Sequence, residues 1–237
     1  MNSKNKIWAI IPARSGSKGF KNKNVQNFFG KPLLAHSIDF AKKLDFIDKI
    51  FVSTDSIHYA KLAERCGAYV PFLRSKESSS DHAMEEDIIE DIRIKCNDNN
   101  IQLPDSVLWL RPTHPLRCLN SFNKAYKMFL SSKTSIYVAT EVDSRIFVRD
   151  VNFYKPVVKK FKQKSMVRRQ DSPSAVKIFY GEFFIFPTSY NIKYMGDKYN
   201  FVIQSNLCCF DIDDNEDLMI LEKIANENTQ KYLPYIH

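Results

Sequence analysis

Along this 237-residue chain the apolar positions fall in short blocks whose period switches repeatedly between strand and helix. Ile7 to Pro12 is an apolar run closed by a proline, the pattern of a buried strand. Pro32 opens a helix at its first turn, with Leu33, Leu34, Ile38 and Ala41 at helical spacing. Lys49 to Thr54 predicts a second strand, ending at Asp55, and Ile57 to Cys66 a helix stopped by Gly67, a usual left-handed cap. Ala68 to Phe72 reads as a short third strand. After Ser78-Ser79-Ser80-Asp81 a helix is expected from about His82 to Lys95, capped by Ser80 or Asp81, with Glu85, Glu86 and Asp87 at its positive end. Ser106 to Leu110 predicts a central strand, Asn120 to Leu130 a helix, and Ile136 to Thr140 another strand.

Strand and helix alternate through short links, which argues for a parallel sheet covered by helices. In such sheets ligands sit beyond the carboxyl ends of the strands, where the loops at Ala13, Asp55 and Arg111 lie. From Asp143 to about Asp197 the rhythm changes. Ile146 to Val151, Pro156 to Phe161 and Phe179 to Phe186 are β-rich and are separated by the basic stretch Lys159 to Arg169. This predicts a single domain over residues 1–237 with an inserted β-rich arm at about 143–197. Phe161, Phe179, Tyr180, Phe183, Phe184 and Phe186 in that arm need burial, and a second subunit is one candidate cover. Cys208 to Ile212 then reads as a strand and Asn215 to Ala225 as a closing helix.

With 44% apolar residues the chain can bury a sizeable core, and no apolar run approaches membrane-spanning length. Met1 to Lys6 lacks the apolar segment of a signal peptide, and the five cysteines show neither a CxxC pair nor zinc spacing. Reduced thiols in a cytoplasmic protein, off the membrane, are expected. The net charge of +8 suits either nucleic acid or small anionic substrates. A basic nucleic-acid-binding module would lean on Lys155 to Arg169, but no nucleic-acid-binding motif accompanies the charge.

The candidate chemistry sits at the two ends. Ala13-Arg14-Ser15-Gly16-Ser17-Lys18-Gly19, followed by Lys21 and Lys23-Asn24, joins small residues to cations, and no carboxylate occurs before Lys31. Small residues let backbone N–H groups approach an anion closely, so a polyphosphate is the natural guest. Neither the Walker A spacing nor GxGxxG is met. At the far end Asp211 and Asp213 stand two apart, placed to offer oxygens from one side of an extended segment to Mg²⁺. The alternative is that Asp213 or Asp214 caps the last helix.

Ile11-Pro12-Ala13-Arg14-Ser15-Gly16-Ser17-Lys18-Gly19 with Lys23-Asn24 resembles the signature of the CMP-sialic acid synthetases, or acylneuraminate cytidylyltransferases. Val52-Ser53-Thr54-Asp55, Arg74 with Ser80-Asp81-His82-Ala83, Pro112-Thr113-His114-Pro115-Leu116-Arg117 and Phe210-Asp211-Ile212-Asp213 follow in that family's order. The resemblance implies a nucleotide-diphospho-sugar transferase (Rossmann-like) three-layer α/β fold, with a central mostly parallel sheet and an inserted β-rich dimerisation arm. It implies Mg²⁺ as cofactor and a homodimer whose arm reaches the neighbouring site. It also implies the reaction, in which CTP and a nine-carbon 2-keto sugar acid give the CMP-sugar and pyrophosphate.

By position, Arg14, Lys18 and Lys23 match triphosphate ligands within the loop that holds Ala13 and Ser15. Asn24, Arg74 and Ala83 match nucleotide contacts, Arg111 and Thr113 flank the substrate pocket, and Asp211 and Asp213 match metal ligands. Asp211 is also a candidate proton acceptor, although a carboxylate holding a metal is a poor base. Arg169 and Gln170 in the arm are candidates to reach the partner subunit's substrate. Arg111 stands where the family often carries Gln, Tyr180 where it carries Asn, and Glu85 where Ser is common. These departures bear on which sugar is used, among neuraminic, legionaminic and pseudaminic acids, with 3-deoxy-manno-octulosonate or another sugar as the alternative.

Overall fold

The computed structural model describes residues 5–17, 19–132, 134–150, 153–157, 168, 170, 173–187 and 200–227. In chain order the first elements are β1 (Ile7–Pro12), β2 (Asn27–Phe28), β3 (Lys31–Pro32), α1 (Leu33–Lys42), β4 (Lys49–Ser53) and α2 (Ile57–Arg65). Then come α3 (Glu85–Asp98), β5 (Ser106–Leu110), α4 (Leu119–Ser132) and β6 (Ile136–Val142). The last are β7 (Phe147–Asp150), β8 (Phe153–Pro156), β9 (Ala175–Ile185), β10 (Asn200–Ile203) and α5 (Asn215–Glu227).

Six strands form the central sheet in the order β10-β6-β9-β5-β1-β4. β1 runs parallel to β4 and β5, and β10 parallel to β6, while β9 is antiparallel to both of its neighbours. The sheet is a middle layer, because its strands are apolar on both faces. Ala9, Ile11, Leu108, Val138 and Phe183 pack on one side against Leu34, Ile38, Ala63, Phe122 and Phe129 of α1, α2 and α4. Trp8, Ile10, Val107, Trp109 and Phe184 pack on the other against Ile88, Ile89 and Ile92 of α3. Each fully buried Ile of β1 contributes about 1.5–3 kcal/mol of transfer free energy. A third cluster joins Leu218 and Leu221 of α5 to Ile212, Phe28, Leu33 and Leu116. Among the described residues no helix is long and apolar enough to cross a membrane.

The expected strands and helices of the first half are present, with local corrections. Pro32 caps α1 instead of occupying its first turn. Ala68 to Phe72 forms no strand, only a single bridge between Phe51 and Tyr69. α3 starts at Glu85, later than expected, and neither Ser80 nor Asp81 caps it. The Asp87 carboxylate accepts from the Met84 N–H at 2.8 Å from inside the first turn, and Asp81 is drawn away to Arg14.

The second half departs further. Ala175 to Ile185, read as part of the arm, is a central strand inserted between β5 and β6. Phe183, Phe184 and Phe186 are therefore core residues of the sheet. Opposite β6 the register of β9 skips at Tyr137/Val138, and Gly181 sits there. A Cβ on Gly181 would stand 2.6 Å from Phe122 Cζ, so only glycine lets the strand lie on α4. The described part of the expected arm outside the sheet is the hairpin β7–β8. Phe161 and most of the basic stretch lie outside the described residues. Cys208 to Ile212 is not a strand either. A 3-10 turn over Asn206–Cys209 leads to an extended segment tied to the loop after β5 by Ile212 N–H donating to Thr113 O at 2.9 Å.

Candidate active site

The carboxyl ends of β1, β4 and β5 open on one side of the sheet, and their loops wall a cavity of about 690 Å³ together with the segment before α5. The loop after β1 is pinned by backbone and side chain. Ala13 N–H donates to Ser53 O at 2.9 Å, and Ser15 gives both its N–H (2.8 Å) and its hydroxyl (2.9 Å) to the Asp55 carboxylate. Asn22, at φ +56°, turns the chain into the 3-10 turn Lys23–Val25, and buried Asn24 donates to Arg14 O at 2.9 Å. These ties present Arg14 and Lys23 to the cavity.

Arg14 donates to Asp81 at 2.7 Å across the opening. Arg74 is buried, donating from Nε to Ser53 Oγ (3.0 Å) and from Nη2 to Ser53 O (2.7 Å). Burial lowers its pKa to about 10, against the pull of Asp55 and Asp91, so it remains a cation at neutral pH. Arg111 pairs with Glu85 of α3. Its backbone carbonyl accepts from buried Arg117 at 2.6 Å, which shows why the loop after β5 ends on a second arginine.

The acids arrive from the other end of the chain. Asp214 caps α5 by accepting from Asp217 N–H at 2.9 Å, while the Asp217 carboxylate accepts from the N–H groups of Asp213 (2.9 Å) and Asp214 (3.2 Å). Of the two capping candidates, Asp214 takes the role, which leaves the side chains of Asp211 and Asp213 facing the cavity. Lys23 Nζ reaches Asp213 Oδ1 at 2.9 Å, so the basic loop and the acidic segment meet. Burial raises the pKa of Asp211 against the Thr113 hydroxyl, and His114 Nδ1 lies 3.5 Å from its Oδ1. His114 is itself held well below its ordinary pKa by burial, then by Arg117 and Arg111, and is neutral there.

The cavity wall thus gathers Arg14, Lys23, Asn24, Arg74, Ala83, Arg111, Thr113, Asp211 and Asp213 as expected. Ala13 and Ser15 are not in the wall, since both are spent holding the loop to β4 and Asp55. Lys18 and Arg169 lie outside the described residues, and Gln170 is exposed and not part of the wall. Glu182 and Trp109 are among the wall residues that the sequence reading missed. For Glu182 the available signal was an acid inside the otherwise apolar and aromatic run from Phe179 to Phe186, where a solvated charge does not belong. Among the described residues no group of three or more His, Cys, Asp or Glu side chains stands ready for a metal. Two carboxylates at the wall of a cavity rich in cations nevertheless fit Mg²⁺, which takes one or two carboxylates and completes its shell with other oxygens and water.

A protein-family profile described as Cytidylyltransferase matches residues 8–186. The chain belongs to that family. This cytidylyltransferase is 32% identical over 235 residues to a pseudaminic acid cytidylyltransferase of Campylobacter jejuni, covering 92% of this chain and 97% of the relative. It is 41% identical over 112 residues to a CMP-N,N'-diacetyllegionaminic acid synthase of Legionella pneumophila, covering 47% and 48% of the two chains. Among solved structures, a 4-diphosphocytidyl-2C-methyl-D-erythritol synthase superposes with a TM-score of 0.67 at 12% identity, covering 94% of this chain and 99% of that one. A CMP:2-keto-3-deoxy-manno-octonic acid synthetase complexed with CTP gives 0.65 at 12%, with the same coverage. At that identity they establish the nucleotidyltransferase α/β fold. The family match ends at Phe186, so Asp211 and Asp213 of this cytidylyltransferase lie beyond it.

Proposed function

We propose that the cavity binds CTP and a nonulosonic acid and transfers the cytidylyl group to the sugar's anomeric hydroxyl, releasing pyrophosphate. The observation that carries this reading is the closure of the basic loop on the acidic segment, Lys23 Nζ to Asp213 at 2.9 Å, around one cavity. The anomeric oxygen attacks the α-phosphorus, the bond from that phosphorus to the bridging α,β-oxygen breaks, and the hydroxyl proton leaves to a base or solvent. Charge gathers on the transferring phosphoryl oxygens and on the departing pyrophosphate. Arg14 and Lys23 neutralise it without rearranging the pinned loop, and buried Arg74 adds a fixed positive field. Asp211 and Asp213 would hold Mg²⁺, which when bound supplies further charge neutralisation at the phosphates. Arg111, freed from Glu85, offers a bidentate partner to the sugar carboxylate.

The names of the relatives support a nonulosonic acid, pseudaminic or legionaminic acid among them, as the sugar. A homodimer belongs to the same reading. The hairpin β7–β8 presents Phe147 (54% exposed) and Phe153 (56% exposed), and a second copy would cover them.

The test is pyrophosphate release from CTP and Mg²⁺ with a panel of 2-keto sugar acids. Release is expected with at least one nonulosonic acid and little with 3-deoxy-manno-octulosonate. Silence with the whole panel would end this reading. Asp211→Asn should move the metal titration to higher Mg²⁺, and an unchanged titration would remove Asp211 from the ligand set.

A further inference from the structure

Glu182 is a buried acid that the transfer chemistry above does not use. It is 5% exposed, lies on β9 and lines the cavity. Across the sheet it is flanked in register by Trp109 of β5 and Tyr137 of β6, each no more than 1% exposed. Opposed residues of antiparallel strands project to the same face, so the carboxyl stands in a row between two large aromatics. Two charged groups act on it beside burial, Arg111 favouring its ionised form and Glu86 of α3 opposing it. Arg111 is already paired with Glu85. The Glu182 carboxyl makes no hydrogen bond or ion pair with any described residue, and it lines the cavity, where a bound group can supply the partner.

We propose that Glu182 is a specificity-determining residue whose carboxyl hydrogen-bonds an uncharged polar substituent, a hydroxyl or an acylamino N–H, of the sugar acid. This rests on the reading that the same cavity holds the sugar. The chemistry selects the substituent. A carboxyl repels the sugar's own carboxylate, so that group turns toward Arg111, and what reaches Glu182 is a neutral donor. Burial pushes the carboxyl up to about 7, so near neutrality its protonated fraction also donates to a carbonyl.

The test varies the sugar acid at saturating CTP in wild type, Glu182→Gln and Glu182→Ala, using nonulosonic acids with two acylamino groups and with one. Glu182→Ala should raise the KM for the preferred sugar by about 10- to 100-fold, the size expected for one buried hydrogen bond to a charged group. It should also erase the preference between the two sugars. The KM for CTP should stay within about twofold, and Glu182→Gln, which keeps an acceptor and the shape, should lose less than Glu182→Ala. A sugar KM unmoved in both variants overturns the inference while leaving the transfer reaction standing. So does a parallel rise in both KM values with a fallen melting temperature, which marks a packing role. Silence of the wild-type enzyme with every sugar overturns the transfer reading, and this inference with it.

Discussion

The two halves of the molecule meet at the cavity with opposite charge and by different means. The half up to Arg111 supplies Arg14, Lys23, Arg74 and Arg111 from loops that follow parallel strands one after another. The half from β9 onward supplies Glu182, Asp211 and Asp213 through long-range pairing, with β9 slotted between β5 and β6 and Ile212 tied to Thr113. Three of the four cations already face carboxylates, Arg14 with Asp81, Arg111 with Glu85 and Lys23 with Asp213. A polyanionic guest therefore exchanges partners. Pairs this exposed are worth about 0–1 kcal/mol, so the exchange costs little.

The sharpest way to break this picture is at Arg14. Arg14→Ala should lower kcat/KM by about 10²- to 10³-fold, because it removes charge stabilisation where negative charge gathers. The melting temperature should barely move, since the Arg14–Asp81 pair is about a third exposed on each side (31%/31%). Steady-state kinetics beside a thermal melt decides it. Near-normal turnover would show that the basic loop does not face the reacting phosphates.

A glycine in each half separates packing from loop chemistry. Gly181→Ala forces a methyl to within 2.6–2.8 Å of the Phe122 ring, itself wedged against Phe40 and Phe183. It should cost about 1–3 kcal/mol by overpacking. Gly16 has no heavy atom within 4 Å of its would-be Cβ, and Gly16→Ala should stay within about 0.5 kcal/mol in denaturant melts. Equal costs would show that β9 does not sit where the sheet requires it.

That contrast also explains what could be read in the chain. β1, β4 and β5 are short apolar runs paired through local βα links, so periodicity and punctuation suffice to place them and the loops beyond them. The identity of β9 depends on which strands accept it as a neighbour, and nothing local carries that. Its run of aromatics looked like an exposed arm because both faces are apolar, yet Phe183 serves one core and Phe184 the other. β10 was missed for the same reason, being a four-residue strand that, among the described residues, pairs with distant β6 alone. Within the site the cations that reach the cavity stand out in the composition, whereas the capture of Ser15 by Asp55 from beyond another strand has no local signal. Glu182 became visible only once its strand was placed.

Glu182 also gives the second half a pH signature. Burial holds its carboxyl at about 7, above the ordinary 4.5, with Arg111 opposing and Glu86 reinforcing. As pH rises from about 4.5 to 7 the unfolded chain surrenders this proton first, so the native state binds more protons and loses relative stability across that window. Glu182→Gln removes the effect. Relative to that variant the wild type should weaken by on the order of 1–3 kcal/mol between pH 4.5 and 7.5, read from urea midpoints. Parallel pH curves would mean the carboxyl is solvated and the cavity floor is open.

The smallest expected effect lies where the halves touch. Asp213 is 71% exposed and Lys23 19%, so their ion pair contributes about 0–1 kcal/mol to folding and less at high salt. Asp213→Asn should therefore leave the melting temperature within about 4 °C. If Asp213 is a hard-oxygen ligand, the same substitution should still raise the Mg²⁺ concentration needed for half-maximal turnover, because an amide oxygen is a weaker donor than a carboxylate. A large stability loss with an unchanged Mg²⁺ titration would reverse the assignment. The contact would then be a clasp between halves, and of the two aspartates Asp211 alone would stand as a metal ligand.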